Sequence, residues 1–300
     1  MLTSMTLGTF TPSVLVRVAR CTGLLAEAGV TVTESAVPSS PAQFRALLDG
    51  DLDAVLTSPD NVLAYRYSPT NPLGRRLDVR IVSAVDRGMG LGLYARTDAA
   101  SLRGARLGVD VATSGFALAM YALADSLGLR REDYELLTLG STPRRLAALL
   151  AGECDATMLN AGNELLAEAA GLAPLARAGQ TLAPYLGTVL AVIGDDRLEQ
   201  ARRLARVLVR TAGSIIDGGL DAEVVAQARI ALGLSEELAG RYLARMREPS
   251  EGLVPDGVPD IGSIRTLVEL RRRYRPETVN GSDVLSPALD PSSGLVAGVG

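Results

Sequence analysis

A nine-residue pattern occurs twice in the sequence, with an offset of 102 residues. It reads ALLDGDLDA at 46–54 and ALLAGECDA at 148–156. In both copies a Leu-Leu helix end is followed by a Gly that can adopt the left-handed conformation, and an acidic turn then leads into a strand beginning at Ala. Many α/β proteins contain one such helix-Gly-strand corner. Two copies with the same Gly-acid-x-Asp-Ala spelling predict two similar lobes.

Short β-branched runs alternate with amphipathic helical stretches through the first part of the chain. This alternation is typical of βαβ units and predicts mostly parallel sheets. The clearest helix is predicted at 12–28, where Pro12 suits the first turn and Gly29 ends the helix. Strands are predicted at 6–10, 30–37, 54–57, 80–85, 91–96, 106–110, 135–139, 156–159 and 189–193.

The pattern changes to consecutive helices after about Asp196. These helices are predicted at 198–217, 222–232, 236–246 and 261–274. Residues 276–300 contain Pro, Ser and Gly with little periodicity, which indicates a mostly irregular tail.

The composition excludes several kinds of chemistry. The chain has 34 acidic and 30 basic residues but no His, Trp or Lys, so every basic residue is Arg. Without His it cannot form a Ser-His-Asp or Cys-His arrangement or a His-containing zinc site. Without Lys it cannot form a side-chain Schiff base or a Walker-type phosphate contact. Cys21 and Cys154 match no metal-ligand spacing and are predicted to be buried thiols, so we expect neither a metal nor a cofactor.

Charge and hydropathy patterns also limit which partners and which cellular location we expect. The arginines form no long run and no patch interleaved with aromatic residues, so nucleic acid is not an expected partner. No apolar run approaches the roughly 18 residues that suggest a membrane span. The first residues show no basic segment followed by an apolar one. This predicts a cytoplasmic protein as the sequence is written, and an extracytoplasmic one if a leader had been removed.

Four stretches of the sequence carry a resemblance to a known family. They are TGLLAEAGVTV at 22–32, FRALLDGDLDA at 44–54, GV at 108–109 with TSG at 113–115, and GECDA at 152–156. In their order and spacing they resemble the type 2 periplasmic binding proteins, specifically the branch for alkanesulfonates, nitrate and the thiamine pyrimidine precursor. The family's first motif has a Lys where this chain has Cys21 or Thr22.

The resemblance implies an α/β fold with two lobes, each a mostly parallel sheet flanked by helices, and a C-terminal helical segment packed on lobe one. Lobe one would comprise 1–88 and 192–275, lobe two 89–191, and the irregular tail 276–300. Crossovers near 86–90 and 188–194 would join the lobes. A small-molecule ligand would lie in the cleft at the carboxyl ends of the strands, and an ABC permease would be a partner if the protein were exported.

Four loops between a strand and a helix supply candidate ligand-binding residues, and Arg87 adds a candidate cation. The loop at 113–116 is the strongest, because a helix N-terminus with a Gly and two hydroxyls can hold an anion without a cationic side chain. An ordinary helix cap explains the loop at 10–13 equally well. The loop at 57–61 can also be a cap, but its place directly after the strand at 54–57 favours a ligand contact. The fourth loop, 160–163, could hydrogen-bond a polar ligand. Arg87 suits a carboxylate or sulfonate, the alternative being a surface pair with Asp86. The full set is Phe10, Thr11, Ser13, Thr57, Ser58, Asn61, Arg87, Thr113, Ser114, Gly115, Phe116 and Asn160.

Two functions remain open at this point. The first is a binding protein that closes over a small anionic organic ligand, as the resemblance to substrate-binding components of ABC importers implies. The alternative is a cytoplasmic enzyme on the same fold, a lyase, dehydratase or isomerase of a small organic acid, with Asp, Glu or Tyr as acid or base. No catalytic residue is assigned for it. A structural or interaction module has little support, since nothing repeats at a solenoid period.

Overall fold

The computed structural model describes residues 3–98, 100–279 and 281–299, and its main feature is a pair of five-stranded sheets. The strands are β1 (Thr3–Thr9), β2 (Val30–Ala36), β3 (Ala54–Thr57), β4 (Val79–Asp86), β5 (Gly92–Ala95), β6 (Arg106–Val109), β7 (Glu135–Thr138), β8 (Ala156–Leu159), β9 (Ala173–Arg177), β10 (Thr188–Ile193), β11 (Thr278–Val279) and β12 (Ser282–Asp283).

The two sheets have the same strand pattern. The first has the order β2-β1-β3-β10-β4, and the second has the order β7-β6-β8-β5-β9. In each sheet the fourth strand runs antiparallel to its neighbours, and the strands before it are parallel. We call the part of the chain built on the first sheet lobe one and the part built on the second sheet lobe two. The predicted fold class, with two lobes of mostly parallel strands, is confirmed.

Helices flank both sheets, and most of them begin at a Ser, Asp or Gly cap. They are α1 (Val14–Cys21), α2 (Leu24–Glu27), α3 (Ser40–Asp49), α4 (Pro59–Tyr67), α5 (Gly115–Ser126), α6 (Thr142–Ala151), α7 (Asn163–Ala169), α8 (Ala178–Thr181), α9 (Leu198–Ile216), α10 (Asp221–Leu232), α11 (Glu236–Arg247) and α12 (Ile261–Tyr274).

The repeated sequence pattern forms the same corner in both lobes. Gly50 and Gly152 follow α3 and α6 with φ of 82° and 76°, the left-handed conformation that favours glycine. The Asp two positions after the acidic residue then tethers the next strand. Asp53 Oδ2 accepts the N–H of Thr6 at 2.7 Å, and Asp155 Oδ2 accepts the N–H of Arg106 at 2.7 Å. The carboxylates therefore join β3 to β1 and β8 to β6.

The helix predicted at 12–28 is in fact two helices, α1 and α2. The N-cap of α1 is Ser13, whose Oγ accepts the N–H of Val16 at 3.3 Å. The helix therefore begins after Pro12, which was predicted to lie in its first turn. Gly23 has φ 81° and breaks the helix between its two segments, because the left-handed conformation is incompatible with a continuous helix. Cys21 at the end of α1 is exposed, so the prediction of a buried thiol is wrong there; Cys154 is buried.

Two further differences concern the part of the chain that leaves lobe two. The edge strand β9 has no counterpart among the predicted strands, and it contains Pro174 at a shift in the register with β5. Since an edge strand has one unpaired side, it tolerates the missing N–H of a proline. The second crossover precedes β10 and occupies 182–187, so the predicted position at 188–194 is too late.

The residues after α12 form the short two-stranded sheet β11-β12 and 3-10 turns, and they pack on lobe one. Ile81 of β4 donates its N–H to Leu295 O and accepts the N–H of Ala297 on its own carbonyl, both at 2.8 Å. Leu285 and Leu295 are buried in the core of the first sheet. Within the described residues, no helix combines the length and apolar character that crossing a bilayer requires.

Candidate functional site

Two crossovers join the lobes, and they lie against each other. The first follows β4 at 87–91 and the second precedes β10 at 182–187. Gly187 donates its N–H to Asp86 O at 2.9 Å. A Cβ at Gly187 would lie 2.4 Å from the backbone of Gly88, so only glycine permits this approach. The crossovers therefore form one compact hinge at the base of the cleft.

Contacts between the lobes close the cleft above this hinge. Asn61 of α4 accepts the N–H of Gly115 on Oδ1 at 3.2 Å, and Asn163 of α7 donates from Nδ2 to Thr11 Oγ1 at 3.3 Å. Each lobe thus places an Asn against the loop that precedes the first helix of the other lobe. Ser141 also donates its N–H to Pro38 O at 2.9 Å. This structure is a closed form of the two lobes.

A cavity of about 120 Å³ lies between the closed lobes. A cavity of roughly 150 Å³ in another protein holds one benzene molecule. This cavity therefore suits a ligand of about the size of benzene, with about six non-hydrogen atoms. Its lining comprises Thr9, Phe10, Thr11, Pro12, Ser13, Leu15, Leu56, Thr57, Ser58, Asn61, Val85, Asp86, Met89, Asp110, Ser114, Phe116, Thr142, Arg145, Asn160, Ala161, Thr188, Tyr242, Met246 and Leu253.

Nine of the twelve candidate residues from the sequence lie in this lining. They come together because the carboxyl ends of β1, β3, β6 and β8 face one another across the cleft. The nine are Phe10, Thr11, Ser13, Thr57, Ser58, Asn61, Ser114, Phe116 and Asn160.

The other three candidates lie outside the lining, each engaged by protein atoms. Arg87 donates from Nη1 to Leu253 O at 3.1 Å, so its guanidinium neither faces the cavity nor pairs with Asp86. The N–H of Gly115 is bonded to Asn61, and the carbonyl of Thr113 accepts from Arg271 Nη2 at 3.0 Å. The N-terminus of α5 is therefore hydrogen-bonded to lobe one. Its first N–H is not open to a ligand in this closed form.

The cation in the cavity wall is Arg145 of α6, which the sequence interpretation missed. Arg145 is 2% exposed and donates to Thr142 Oγ1 at 3.0 Å and to Met158 O at 3.2 Å. Its Nε has no hydrogen-bond partner among the described residues. Burial lowers the pKa of Arg145 to about 10, and the nearby Asp110 carboxylate opposes this shift. Arg145 therefore keeps its charge at neutral pH.

Two carboxylates also line the cavity, and the sequence interpretation assigned neither to the site. Asp110 follows β6 and accepts the N–H of Ser40, the first residue of α3, at 3.0 Å on Oδ2. Burial raises its pKa, against the effects of Ser40 and Arg145. Asp86 ends β4, and burial raises its pKa to about 6. Both carboxylates could have been predicted from the sequence, because each lies at the end of a strand, as the four candidate loops do.

Two hydroxyl groups in the cavity wall have no hydrogen-bond partner. Ser58 and Ser114 are the N-cap residues of α4 and α5, and neither side chain makes the usual cap bond. Both Oγ atoms are buried and unpaired among the described residues. Since a buried hydroxyl without a partner costs free energy, these two groups are candidates for bonds to a ligand.

The C-terminal helices complete the site. Tyr242 and Met246 of α11 supply apolar lining. Arg245, on the same helix, donates to Glu164 of α7 at 2.7 Å and to Glu168 at 2.9 Å. Glu164 is fully buried, and burial raises its pKa to about 7 although Arg245 lowers it. The helix α11 therefore ties lobe two to the wall of the cavity.

No group of three His, Cys, Asp or Glu residues within 3–98, 100–279 and 281–299 is placed to hold a metal ion. The lining instead offers hydroxyl and amide groups, two carboxylates, one guanidinium and a large apolar surface. Such a mixture can orient a small organic molecule through hydrogen bonds while the apolar groups exclude water.

Comparison with known proteins gives structural matches only. No protein-family model and no curated protein matches the sequence. The alkanesulfonate-binding protein SsuA from Xanthomonas axonopodis pv. citri, bound to MOPS, is 19% identical with a TM-score of 0.70, and the match covers 91% of this chain and 93% of SsuA. The periplasmic nitrate-binding protein NrtA from Synechocystis PCC 6803 is 13% identical with a TM-score of 0.73, covering 93% and 84%.

A third solved structure is the ligand-binding component of an ABC-type import system from Staphylococcus aureus, with zinc bound. It is 13% identical with a TM-score of 0.71, and the match covers 91% of this chain and 92% of that protein. These matches extend over nearly the whole of both lobes, at identities where only the fold is shared. The chain has the type 2 periplasmic-binding-protein fold.

Proposed function

We propose that this protein binds a small organic ligand between its lobes and serves as the substrate-binding component of an ABC importer. The observation that carries the proposal is the cavity of about 120 Å³ between the lobes, whose wall of polar and apolar groups includes polar atoms with no partner among the described residues. The structural neighbours described as binding alkanesulfonate and nitrate, and the one described as an import component, support the same function. A permease would then be the protein partner.

The polar groups of lobe two indicate which part of the ligand they would bind. Arg145 is a buried cation whose Nε is unpaired, and Ser114 adds an unpaired hydroxyl. Ser58 supplies a second such hydroxyl from lobe one. Together they suit an anionic group such as a carboxylate or sulfonate. The remainder of the ligand would pack against Phe10 and Phe116.

The enzymatic alternative is not favoured. The structural neighbours reported above are described as binding proteins or import components.

Thermal unfolding with a panel of small sulfonates and carboxylates tests the proposed function. A ligand at 100 times its Kd should raise the Tm by about 5 °C, because it stabilises only the folded protein. Arg145→Gln should weaken binding of that ligand at least tenfold in calorimetry. Arg144→Gln is the matched control, since Arg144 is the preceding residue and lies outside this cavity. If no panel member raises the Tm, or both variants bind as the wild type does, the proposal fails.

A further inference from the structure

Asp86 is a buried carboxylate in the cavity wall, and the protein compensates its burial only in part. It is 6% exposed and lies at the end of β4, where the first crossover begins. Its Oδ1 accepts the N–H of Gly88 at 2.8 Å. In the described part of the chain it makes no ion pair, and the adjacent Arg87 donates to Leu253 O instead.

Asp110 provides the comparison within the same cavity. It receives the N–H of Ser40 at the N-terminus of α3, where the helix dipole favours a negative charge. It also lies near Arg145, and the two groups stabilise each other's charged forms. The lining contains these two carboxylates and one guanidinium. Asp110 therefore has a helix N-terminus and a guanidinium near it, whereas Asp86 has no helix N-terminus and no ion pair among the described residues.

The surroundings of Asp86 in the cavity are mainly apolar. Val85 and Met89 flank it in the chain, and Tyr242, Met246 and Leu253 line the same cavity. Thr188 adds a hydroxyl beside it. Burial raises its pKa only to about 6, so the group is mostly ionised at neutral pH. An ionised carboxylate in such a place is stabilised strongly by a cation that enters with the ligand.

We propose that the ligand carries a protonated amine and that Asp86 binds it. This inference rests on the proposed function, because it concerns the same cavity. With the anionic group toward Arg145, the ligand class is a small zwitterion of about six non-hydrogen atoms, such as an amino acid or an aminoalkyl sulfonate. Asp86 accepts the N–H of Gly88 on Oδ1 and interacts with the Thr188 hydroxyl. A carboxylate has about four lone-pair sites, so Asp86 can also accept from an ammonium group.

Matched pairs of probes test this inference by calorimetry. The pairs are 4-aminobutyrate with butyrate and 2-aminoethanesulfonate with ethanesulfonate, which differ in the amine alone. The wild type should bind an aminated member at least tenfold more tightly than its partner. Asp86→Asn should reduce that preference to less than twofold, because the amide keeps an oxygen for the N–H of Gly88 but carries no charge. Asp195→Asn, an equal charge change at an exposed site, should keep the preference.

The outcomes separate this inference from the proposed function. Binding of butyrate or ethanesulfonate as tightly as the aminated partner would overturn the inference and leave the binding function standing. A preference that survives in Asp86→Asn would also overturn it. The absence of binding by all four probes would count against both. The wild-type preference is measured without any variant, so a folding defect in Asp86→Asn leaves a decisive result.

Discussion

The two lobes share one topology but differ in how two equivalent helices, α4 and α7, are held. The sheets superpose in order, with β1, β3 and β10 of lobe one corresponding to β6, β8 and β5 of lobe two. Gly8 and Gly108 occupy equivalent places, and a Cβ at either would meet a leucine side chain at 2.6 Å or 2.8 Å. The repeat therefore reaches beyond the two corners that the sequence shows and includes the close packing of the first strand.

The difference lies at the start of α4 and α7. By the offset of the repeat, Asn61 corresponds to Asn163, and the next residue is Val62 in lobe one but Glu164 in lobe two. Val62 is buried in the core, whereas Glu164 is buried against Arg245 of α11. In lobe one the ion pair to the C-terminal helices comes from another position, Asp60. The repeat sets the architecture, and the unrepeated C-terminal helices make each lobe different.

The largest effect is expected from removing Arg245, the cation of α11 that pairs with Glu164 of lobe two. Arg245→Met leaves Glu164 buried without its partner and should cost about 3–5 kcal/mol of unfolding free energy at pH 8. The loss should be smaller at pH 6, because the pKa of Glu164, already about 7, rises further without Arg245 and the group becomes neutral. Chemical denaturation at the two pH values measures this.

A double variant serves as the control for that experiment. Adding Glu164→Gln removes the charge and should restore most of the stability lost in Arg245→Met, making α7 more like α4 with its Val62. A loss below 1 kcal/mol in Arg245→Met at pH 8 would show that the pair of Glu164 and Arg245 does not hold α7 differently from α4.

Asp86 of lobe one and Asp110 of lobe two should both stabilise the protein when neutralised, but to different extents. The folded pKa of Asp86 is about 6, against about 3.9 in an unfolded chain, so the folded state binds more protons between these values. The stability of the wild type therefore falls as the pH rises from 4 to 6. Asp86→Asn removes this dependence and should be more stable by up to roughly 3 kcal/mol at pH 8, without gaining at pH 4.

Asp110→Asn is the matched variant in lobe two. Burial raises the pKa of Asp110 as well, so its neutralisation should also stabilise the protein at pH 8. The gain should be smaller than for Asp86→Asn, because the N–H of Ser40 and the charge of Arg145 compensate part of the burial. Denaturation curves of both variants against pH measure the two gains. A gain at Asp110 as large as that at Asp86 would mean that Ser40 and Arg145 do not compensate its charge.

Local sequence signals predicted much of the fold. The strands at 54–57 and 156–159 and the helix at 261–274 have the predicted bounds, because glycines, acidic turns or caps mark their ends. The break at Gly23 was missed, since the apolar face continues from α1 into α2 and Leu24 and Leu25 are buried. The edge strand β9 was missed because its pairing with β5, not its own sequence, makes it a strand.

The candidate site was predictable in its loops but not in its charges. Position after a strand selected Thr57, Ser114 and other residues that line the cavity. The same pattern could not distinguish Arg144 from Arg145, because both precede the same apolar helix face and only the fold buries the second. Arg87 was placed at the hinge correctly, but the direction of its side chain depends on the C-terminal segment around Leu253.

The repeated aspartates test whether the shared corner has the same strength in both lobes. Asp53→Ala and Asp155→Ala each remove a carboxylate that accepts a strand N–H at 2.7 Å. Such a bond contributes about 1.5–3 kcal/mol. We expect a loss of about 2 kcal/mol at Asp53 and about 1 kcal/mol at Asp155, since their side chains are 13% and 33% exposed. Asp51→Ala, at an exposed turn position, should change the unfolding free energy little. A larger loss at Asp155 than at Asp53 would mean that side-chain exposure does not determine the strength of this contact.

The smallest effect is expected at the reciprocal Asn contacts that close the cleft. Asn61→Ala and Asn163→Ala each remove one hydrogen bond between the lobes, which contributes about 1 kcal/mol to the closed form. For a ligand that binds only the closed form, this corresponds to about a fivefold rise in Kd. Asn163 lies outside the cavity lining, so its variant changes closure without touching the ligand, whereas Asn61 lines the cavity and its variant should lose more. Small-angle scattering of the free variants should show a larger radius of gyration. An unchanged Kd and radius in Asn163→Ala would mean that the bond from Asn163 to Thr11 does not contribute to closure.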